Sequence, residues 1–190
     1  MKKIGILAIQ GDFEKHGLLL SKLGVEVSEV RTEEEIQSTD ALIIPGGEST
    51  TFLKLFQEFN LGDAIKDYAK NRPIMGTCAG LIILAKEANP LPYKPLGLID
   101  IVVSRNAYGR QRESFVDDIN LSLNGKEQKF PGVFIRAPKI SKIGNTVNVL
   151  ARHKNDIVLA STKNILVATF HPELTDNTKI HDFFIKNFIQ

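Results

Sequence analysis

The chain of 190 residues has no tryptophan and one cysteine. A single cysteine excludes an intrachain disulfide, and no C-x-x-C or H-x-x-x-H spacing offers a zinc site, so a reducing, cytoplasmic setting fits best. An excess of one charge is also lacking, with Lys plus Arg at 24 against Asp plus Glu at 22 and a net charge of +2. The basic residues are scattered, which removes the electrostatic reason to expect nucleic acid or a membrane surface as partner. Long hydrophobic runs are missing too. Lys2-Lys3 precede an apolar run, but Gln10-Gly11-Asp12 ends it far short of a signal peptide or a membrane span. There is no repeat, low-complexity tract or linker. What remains is 43% hydrophobic residues, enough for one core, and residues 1–190 are expected to form one domain.

The first half alternates short apolar runs with amphipathic stretches: Ile4 to Ile9, Phe13 to Leu23, Val25 to Val30, Ala41 to Ile44 and Thr51 to Phe59. Continuous Ile/Leu/Val runs predict strands covered on both faces, hence an α/β fold with an open, mostly parallel sheet flanked by helices in three layers. Ligands on such sheets lie beyond the C-terminal strand ends. Three glycine-containing turns fall there, Gln10-Gly11, Gly46-Gly47 and Gly76 to Gly80, and are expected to converge. From Leu98 the texture changes to short β-branched pieces, Ile99 to Val103, Gly132 to Ile135, Val147 to Ala151, Ile157 to Ala160 and Ile165 to Phe170, which predict antiparallel strands with a hairpin at Leu123 to Lys126. Ala88 to Pro95, with three prolines, reads as an irregular insertion. A last helix carrying Ile180, Phe183, Phe184 and Phe188 is expected to begin at an Asp176 N-cap.

The only cysteine stands in Gly76-Thr77-Cys78-Ala79-Gly80, before a helix-like stretch from Leu81 to Lys86. The pattern G-x-nucleophile-x-G puts a reactive residue on a strained strand-to-helix turn, with glycines where side chains would collide. A helix N-terminus also favours negative charge on sulfur. The plain alternative is a buried free cysteine acting as a small hydrophobe.

A cysteine nucleophile needs a base and a group that orients the base. His16 and His181 lie on the first and last helices, where packing or solvation is the usual explanation, and His153 reads as a turn residue. His171 follows the strand Ile165 to Phe170 within Phe170-His171-Pro172-Glu173. In an extended chain His171 and Glu173 point to one side, and Pro172 favours that conformation. The carboxylate would then hold one ring nitrogen while the other faces sulfur. A third element, Pro45-Gly46-Gly47-Glu48-Ser49-Thr50-Thr51, offers backbone N–H groups for an oxyanion hole at Gly47, with Ala79 N–H as the second donor. It is also a simple turn in which Ser49 or Thr50 would cap the next helix.

These motifs, in this chain order, resemble the class I (triad) glutamine amidotransferases. Together with Arg105-Asn106-Ala107-Tyr108-Gly109-Arg110-Gln111 and Val133-Phe134-Ile135-Arg136-Ala137-Pro138, they are similar to one subfamily, the glutaminase subunits of pyridoxal 5'-phosphate synthase. The resemblance implies a flavodoxin-like fold with an antiparallel extension in the C-terminal half. It also implies hydrolysis of L-glutamine to glutamate and ammonia by a Cys78, His171 and Glu173 triad through a glutamyl thioester. It assigns Gly47, Glu48, Ser49, Arg105, Ile135 and Arg136 to glutamine binding, and places Gln10 beside the oxyanion hole and the interface with the synthase. The implied partner is the barrel-shaped synthase subunit, and no cofactor is implied. A guanidinium fork at Arg105 or Arg136 suits a substrate carboxylate, with surface solvation as the alternative. Competing readings are a glutaminase serving another acceptor, such as imidazole glycerol phosphate synthase, a cysteine peptidase or related hydrolase, and a non-enzymatic module that kept the fold.

Overall fold

The computed structural model describes residues 1–105 and 114–189. In chain order the first half is β1 (Lys3–Leu7), α1 (Phe13–Ser21), β2 (Glu26–Val30), α2 (Glu33–Gln37), β3 (Ala41–Ile44), α3 (Ser49–Glu58), α4 (Leu61–Tyr68), β4 (Ile74–Thr77) and α5 (Ala79–Leu84). Then come β5 (Ala85–Asn89), β6 (Ile99–Ser104), β7 (Ser114–Leu123), β8 (Lys126–Ile135), β9 (Lys139–Ile143), β10 (Asn148–His153), β11 (Asp156–Ser161) and β12 (Ile165–Ala168). A 3-10 turn at Pro172–Leu174 and α6 (Lys179–Phe188) close the chain.

A nine-stranded sheet has the order β2-β1-β3-β4-β12-β11-β10-β7-β8, and a three-stranded sheet the order β5-β6-β9. The pairs linking β2, β1, β3, β4 and β12 are all parallel, so these strands end at one edge. From β12 outward the pairs are antiparallel. The α/β class and the antiparallel extension are as expected, with two corrections. β6, expected among the antiparallel strands, is antiparallel to β9 but parallel to β5 in the smaller sheet. β12, likewise expected to be antiparallel, bonds antiparallel to β11 but parallel to β4, in register Ile165 with Ile74. Its four residues Ile-Leu-Val-Ala are buried throughout, the pattern of a central strand covered on both faces.

Side chains leave each strand alternately up and down, and both directions are apolar. Leu42 and Ile44 of β3 join Phe52, Phe56 and Ile65 from α3 and α4, whereas Ala41 and Ile43 join Leu20 of α1 with Ile180 and Phe184 of α6. The second layer also receives Phe130 and Phe134 from β8, fully buried against Phe170. Each such side chain contributes about 1.5–3 kcal/mol relative to an exposed one. The predicted hairpin turn is present, with Asn124 and Gly125 at φ 52° and 72°, the positive pair of a type I′ turn.

Three local expectations are corrected. The helix-like stretch Leu81 to Lys86 begins earlier, as α5 over Ala79–Leu84, and Ala85 already opens β5. α3 is capped by Glu48, whose carboxylate accepts from Thr50 N–H at 3.1 Å and Thr51 N–H at 2.7 Å, rather than by Ser49 or Thr50. The longer carboxylate reaches two orphan amides at once. α6 starts after Thr178 rather than Asp176, because Asn177 Oδ1 accepts the Lys179 N–H at 3.1 Å. Among the described residues no helix is long and apolar enough to cross a membrane.

Candidate active site

Four parallel strands deliver their C-terminal ends to one place. After β1 comes the Gln10-Gly11 turn, after β3 the Gly46-Gly47 turn, after β4 the cysteine, and after β12 His171. The first two turns touch so closely that a Cβ on Gly11 would lie 1.8 Å from the Gly46 carbonyl oxygen, and Gly11 has φ +85°, so only glycine serves there. Asp12 N–H donates to that same carbonyl at 3.3 Å. The expected convergence is therefore observed.

Cys78 occupies a bend at φ 48°, ψ −101°, a strained conformation for a residue with a Cβ. Its own N–H donates to Ala168 O at 2.9 Å, fastening the bend to the end of β12. A Cβ on Gly80 would lie 2.1 Å from Ile44 O, so the glycine lets α5 pack directly on β3. The sulfur is within 3.9 Å of the Ile135 carbonyl, and the residue is 8% exposed while lining a cavity. It is neither sealed in hydrocarbon nor far from polar groups.

His171 N–H donates to Val133 O at 2.8 Å, anchoring the residue to β8. Its Nδ1 lies 2.6 Å from Glu173 Oε1, with both residues buried. The route to this contact differs from the expected one. Residues 172–174 form a 3-10 turn rather than continuing extended, while His171 itself stays at φ −106°, ψ 87° as its position before proline favours. Pro172, with φ preset for a helical turn, folds the carboxylate back under the ring. The ring also neighbours the elbow: a Cβ on Gly46 would lie 2.4 Å from His171 Cε1 and 3.5 Å from Cys78 Cβ.

The cavity of about 220 Å³ is lined by Gly47, Glu48, Ser49, Cys78, Arg105, Ile135, Arg136 and His171, with Asp12, Ile82 and Pro138. It is smaller than the roughly 300–1,000 Å³ of sites for drug-sized ligands, which suits a small metabolite. Arg105 donates to Pro90 O at 3.0 Å and pairs with Glu48 at 3.1 Å. Arg136 is exposed at the rim with φ 44°. Gln10 does not line the cavity. Its Nε2 donates to Glu48 O at 2.6 Å and its Oε1 accepts Glu48 N–H at 3.3 Å, clamping the backbone next to Gly47. Ala79 is buried at the first position of α5, and Glu173 stands behind His171. Asn106 to Gln111, part of the motif that began at Arg105, lie outside the described residues.

Three buried polar residues lie beneath Glu173, and sequence reasoning, which gave packing or solvation for His16 and His181, assigned none of them to the site. His16 Nε2 is 3.4 Å from Glu173 Oε2 and 3.2 Å from Thr77 Oγ1, and its Nδ1 is 2.8 Å from His181 Nε2. Helical spacing could have found two of them. His16 shares a face with Leu19 and Leu20, and His181 with Ile180 and Phe184, all buried. His153, expected in a turn, closes β10 and is buried with Nε2 2.9 Å from Asp117.

Burial pulls the His171 pKa down, but hydrogen bonds to Cys78 and Glu173 and the charges of both raise it, on balance from 6.5 to about 10. Burial alone would raise Glu173, yet the nearby His16 and His171 hold it below the ordinary carboxylate range. Burial lowers His16, and lowers His181 to about 3. Stability should therefore peak near pH 6.5. His171 keeps its proton in the folded chain up to about pH 10 but unfolded only to 6.5, so its contribution is complete below 6.5 and is lost as pH rises toward 10. His181 acts in the opposite sense: between pH 6.5 and about 3 only the unfolded chain takes up its proton, so stability falls with falling pH. Urea midpoints across pH test this, with His171→Gln expected to flatten the alkaline limb and His181→Leu the acid limb. Unchanged limbs would refute the assignment.

The model of the SNO glutamine amidotransferase family matches residues 6–190. A protein of Thermosipho africanus named pyridoxal 5'-phosphate synthase subunit PdxT is 49% identical over 184 residues, covering 96% of this chain and 97% of that one. The protein of the same name from Francisella tularensis subsp. tularensis is 45% identical, covering 97% and 98%. A crystal structure of a glutamine amidotransferase superposes with a TM-score of 0.90 at 44% identity, covering 96% and 97%. PurLQS of Thermotoga maritima, at TM-score 0.74 and 17% identity, shares the fold.

Proposed function

Since the chain belongs to the SNO glutamine amidotransferase family, we propose that Cys78, His171 and Glu173 form the triad by which it takes ammonia from L-glutamine. The enzyme is the glutaminase subunit of pyridoxal 5'-phosphate synthase, the role carried by relatives 45–49% identical over nearly the whole chain. The synthase subunit receives the ammonia, and the whole chain acts as one glutaminase domain. With its lone free cysteine it works in the cytoplasm.

The observation that carries the triad is the His171 ring, hydrogen-bonded to Glu173 at 2.6 Å and facing the same cavity as the sulfur of Cys78. The sulfur attacks the side-chain amide carbon of glutamine. N–H groups of Gly47 and Ala79 receive the oxyanion, the former from the glycine turn and the latter from the first residue of α5. His171, protonated at neutral pH, donates to the departing nitrogen, and ammonia leaves. The neutral ring then draws a proton from water, which hydrolyses the glutamyl thioester to glutamate. Glu173 supports the cationic ring throughout. Arg105 and Arg136 at the cavity rim suit the substrate carboxylate.

Each oxyanion donor lowers the barrier by about 3 kcal/mol, so the orientation of the Gly46-Gly47 peptide governs the rate. Here the Gly46 carbonyl is held by Asp12 and the backbone of Glu48, on the far side of Gly47, by Gln10, and both holders belong to the turn after β1. A synthase subunit docking there would act on that peptide directly. Ammonia release from glutamine should be slow for the isolated chain and rise by at least about tenfold when the synthase subunit is added, a difference of about 1.4 kcal/mol in barrier. Absence of release with the partner present would refute the function. Equal release without it would refute the partner dependence.

A further inference from the structure

We infer that His16, oriented by His181, is a positioning residue that holds Glu173 through the carboxylate oxygen His171 does not use. The inference rests on the triad reading above. Glu173 gives Oε1 to His171 at 2.6 Å, while Oε2 is buried without a well-formed hydrogen bond among the described residues. A buried carboxylate oxygen left alone is costly, and the ring nitrogen facing it is His16 Nε2, at 3.4 Å.

The tautomer follows from hydrogen counting. One proton lies between His16 Nδ1 and His181 Nε2, which are 2.8 Å apart. If His16 supplied it, its Nε2 would be a lone pair able to accept only from the Thr77 hydroxyl, and no donor would face Glu173 Oε2. His181 would then carry its proton on Nδ1, an atom buried with no partner among the described residues. Two faults would coincide, and buried orphan N–H groups are rare. If His181 supplies it, His16 carries its proton on Nε2, 3.2 Å from Thr77 Oγ1 and 3.4 Å from Glu173 Oε2, so a donor faces the carboxylate. Only a lone pair on His181 Nδ1 then stays unmatched. The groups around His16 are Glu173, His171, His181, Asp12 and Thr77, and burial keeps His16 neutral against the two carboxylates. Neutrality matters to the chemistry. A cation there would compete with His171 for the Glu173 charge, whereas a neutral N–H holds the carboxylate in place and leaves its charge for the catalytic ring.

Two measurements test this. Long-range ¹⁵N–¹H correlation of the histidine rings in the wild-type chain should give His16 as the neutral Nε2–H tautomer between about pH 6 and 8. The Nδ1–H tautomer, or a protonated ring, would overturn the inference. In the complex with the synthase subunit, His16→Leu should lower kcat for glutamine by roughly tenfold to a hundredfold with KM within about twofold, because the side chain touches no substrate. His16→Gln, whose amide places a donor near the Nε2 position, should restore kcat to within about threefold of wild type. A folded His16→Leu with wild-type kcat, or equal losses in both variants, would refute it. Labelling of Cys78 by a thiol-directed glutamine analogue separates the two readings. A wild-type chain that fails to label refutes the triad, while the ring correlation, which needs no catalysis, still judges the hold on Glu173.

Discussion

Replacing Cys78 by alanine is expected to lower glutamine hydrolysis by the complex by on the order of 10⁴-fold or more, while synthesis from added ammonium salt continues. The loss is large because the reaction runs through a covalent thioester and the chain holds no other thiol. Water bound in the same cavity would keep only what the oxyanion hole and substrate binding supply. Alanine retains the Cβ, so the strained bend at φ 48° and the Cys78 N–H bond to Ala168 impose on it what they impose on cysteine. The fold should therefore survive, and circular dichroism would verify it. Paired assays of ammonia release and of pyridoxal 5'-phosphate formation decide the matter. Turnover within tenfold of wild type would exclude sulfur as nucleophile. Loss of ammonium-driven synthesis would show that this subunit gives the synthase more than ammonia.

Gly46→Ala should be nearly as damaging without removing any catalytic atom. The added Cβ would stand 2.4 Å from His171 Cε1 and 2.9 Å from Nδ1. Real contacts of that length do not persist, so either ring or turn must move. The ring is held by Glu173 at 2.6 Å and, through its backbone, by Val133 at 2.8 Å. The turn is held by Asp12 N–H at 3.3 Å. A displacement near 1 Å of a reacting group costs about 10²-fold, and both possible movements act on catalytic geometry, so kcat should fall by about 10²–10³. Overpacking should cost a further 1–3 kcal/mol or so of stability. Gly17→Ala is the control, since its Cβ would meet nothing closer than Ile6 Cδ1 at 3.7 Å. Wild-type kcat in Gly46→Ala would mean that His171 is not confined as the structure has it.

Much of the site was legible because its signals are local. The elbow at Gly76 to Gly80 and the double glycine at Gly46-Gly47 each mark a place where a side chain has no room, and the structure shows what would be struck: Ile44 O at 2.1 Å and His171 Cε1 at 2.4 Å. The residues joining His171 to Glu173 were misread in conformation but not in consequence. Both an extended segment and the observed 3-10 turn bring the carboxylate to the ring, and proline is compatible with either. The Glu48 cap was missed because serine and threonine are the commoner caps and the glutamate precedes them by one residue.

The sequence by itself determined the α/β class, the mostly parallel character of the early strands, the cysteine elbow and the late His-Pro-Glu. Each of these depends on period, strain or spacing over a few neighbouring residues. Only the tertiary structure decided that β12 runs parallel beside β4, which brings His171 to the edge where Cys78 emerges. It alone stacked His16 from α1 and His181 from α6 beneath Glu173, bringing a residue near the start of the chain to two near its end. A buried hydrogen bond between distant helices leaves no trace in local pattern, because its energy depends on which two faces meet, and that is settled by the packing of the whole core.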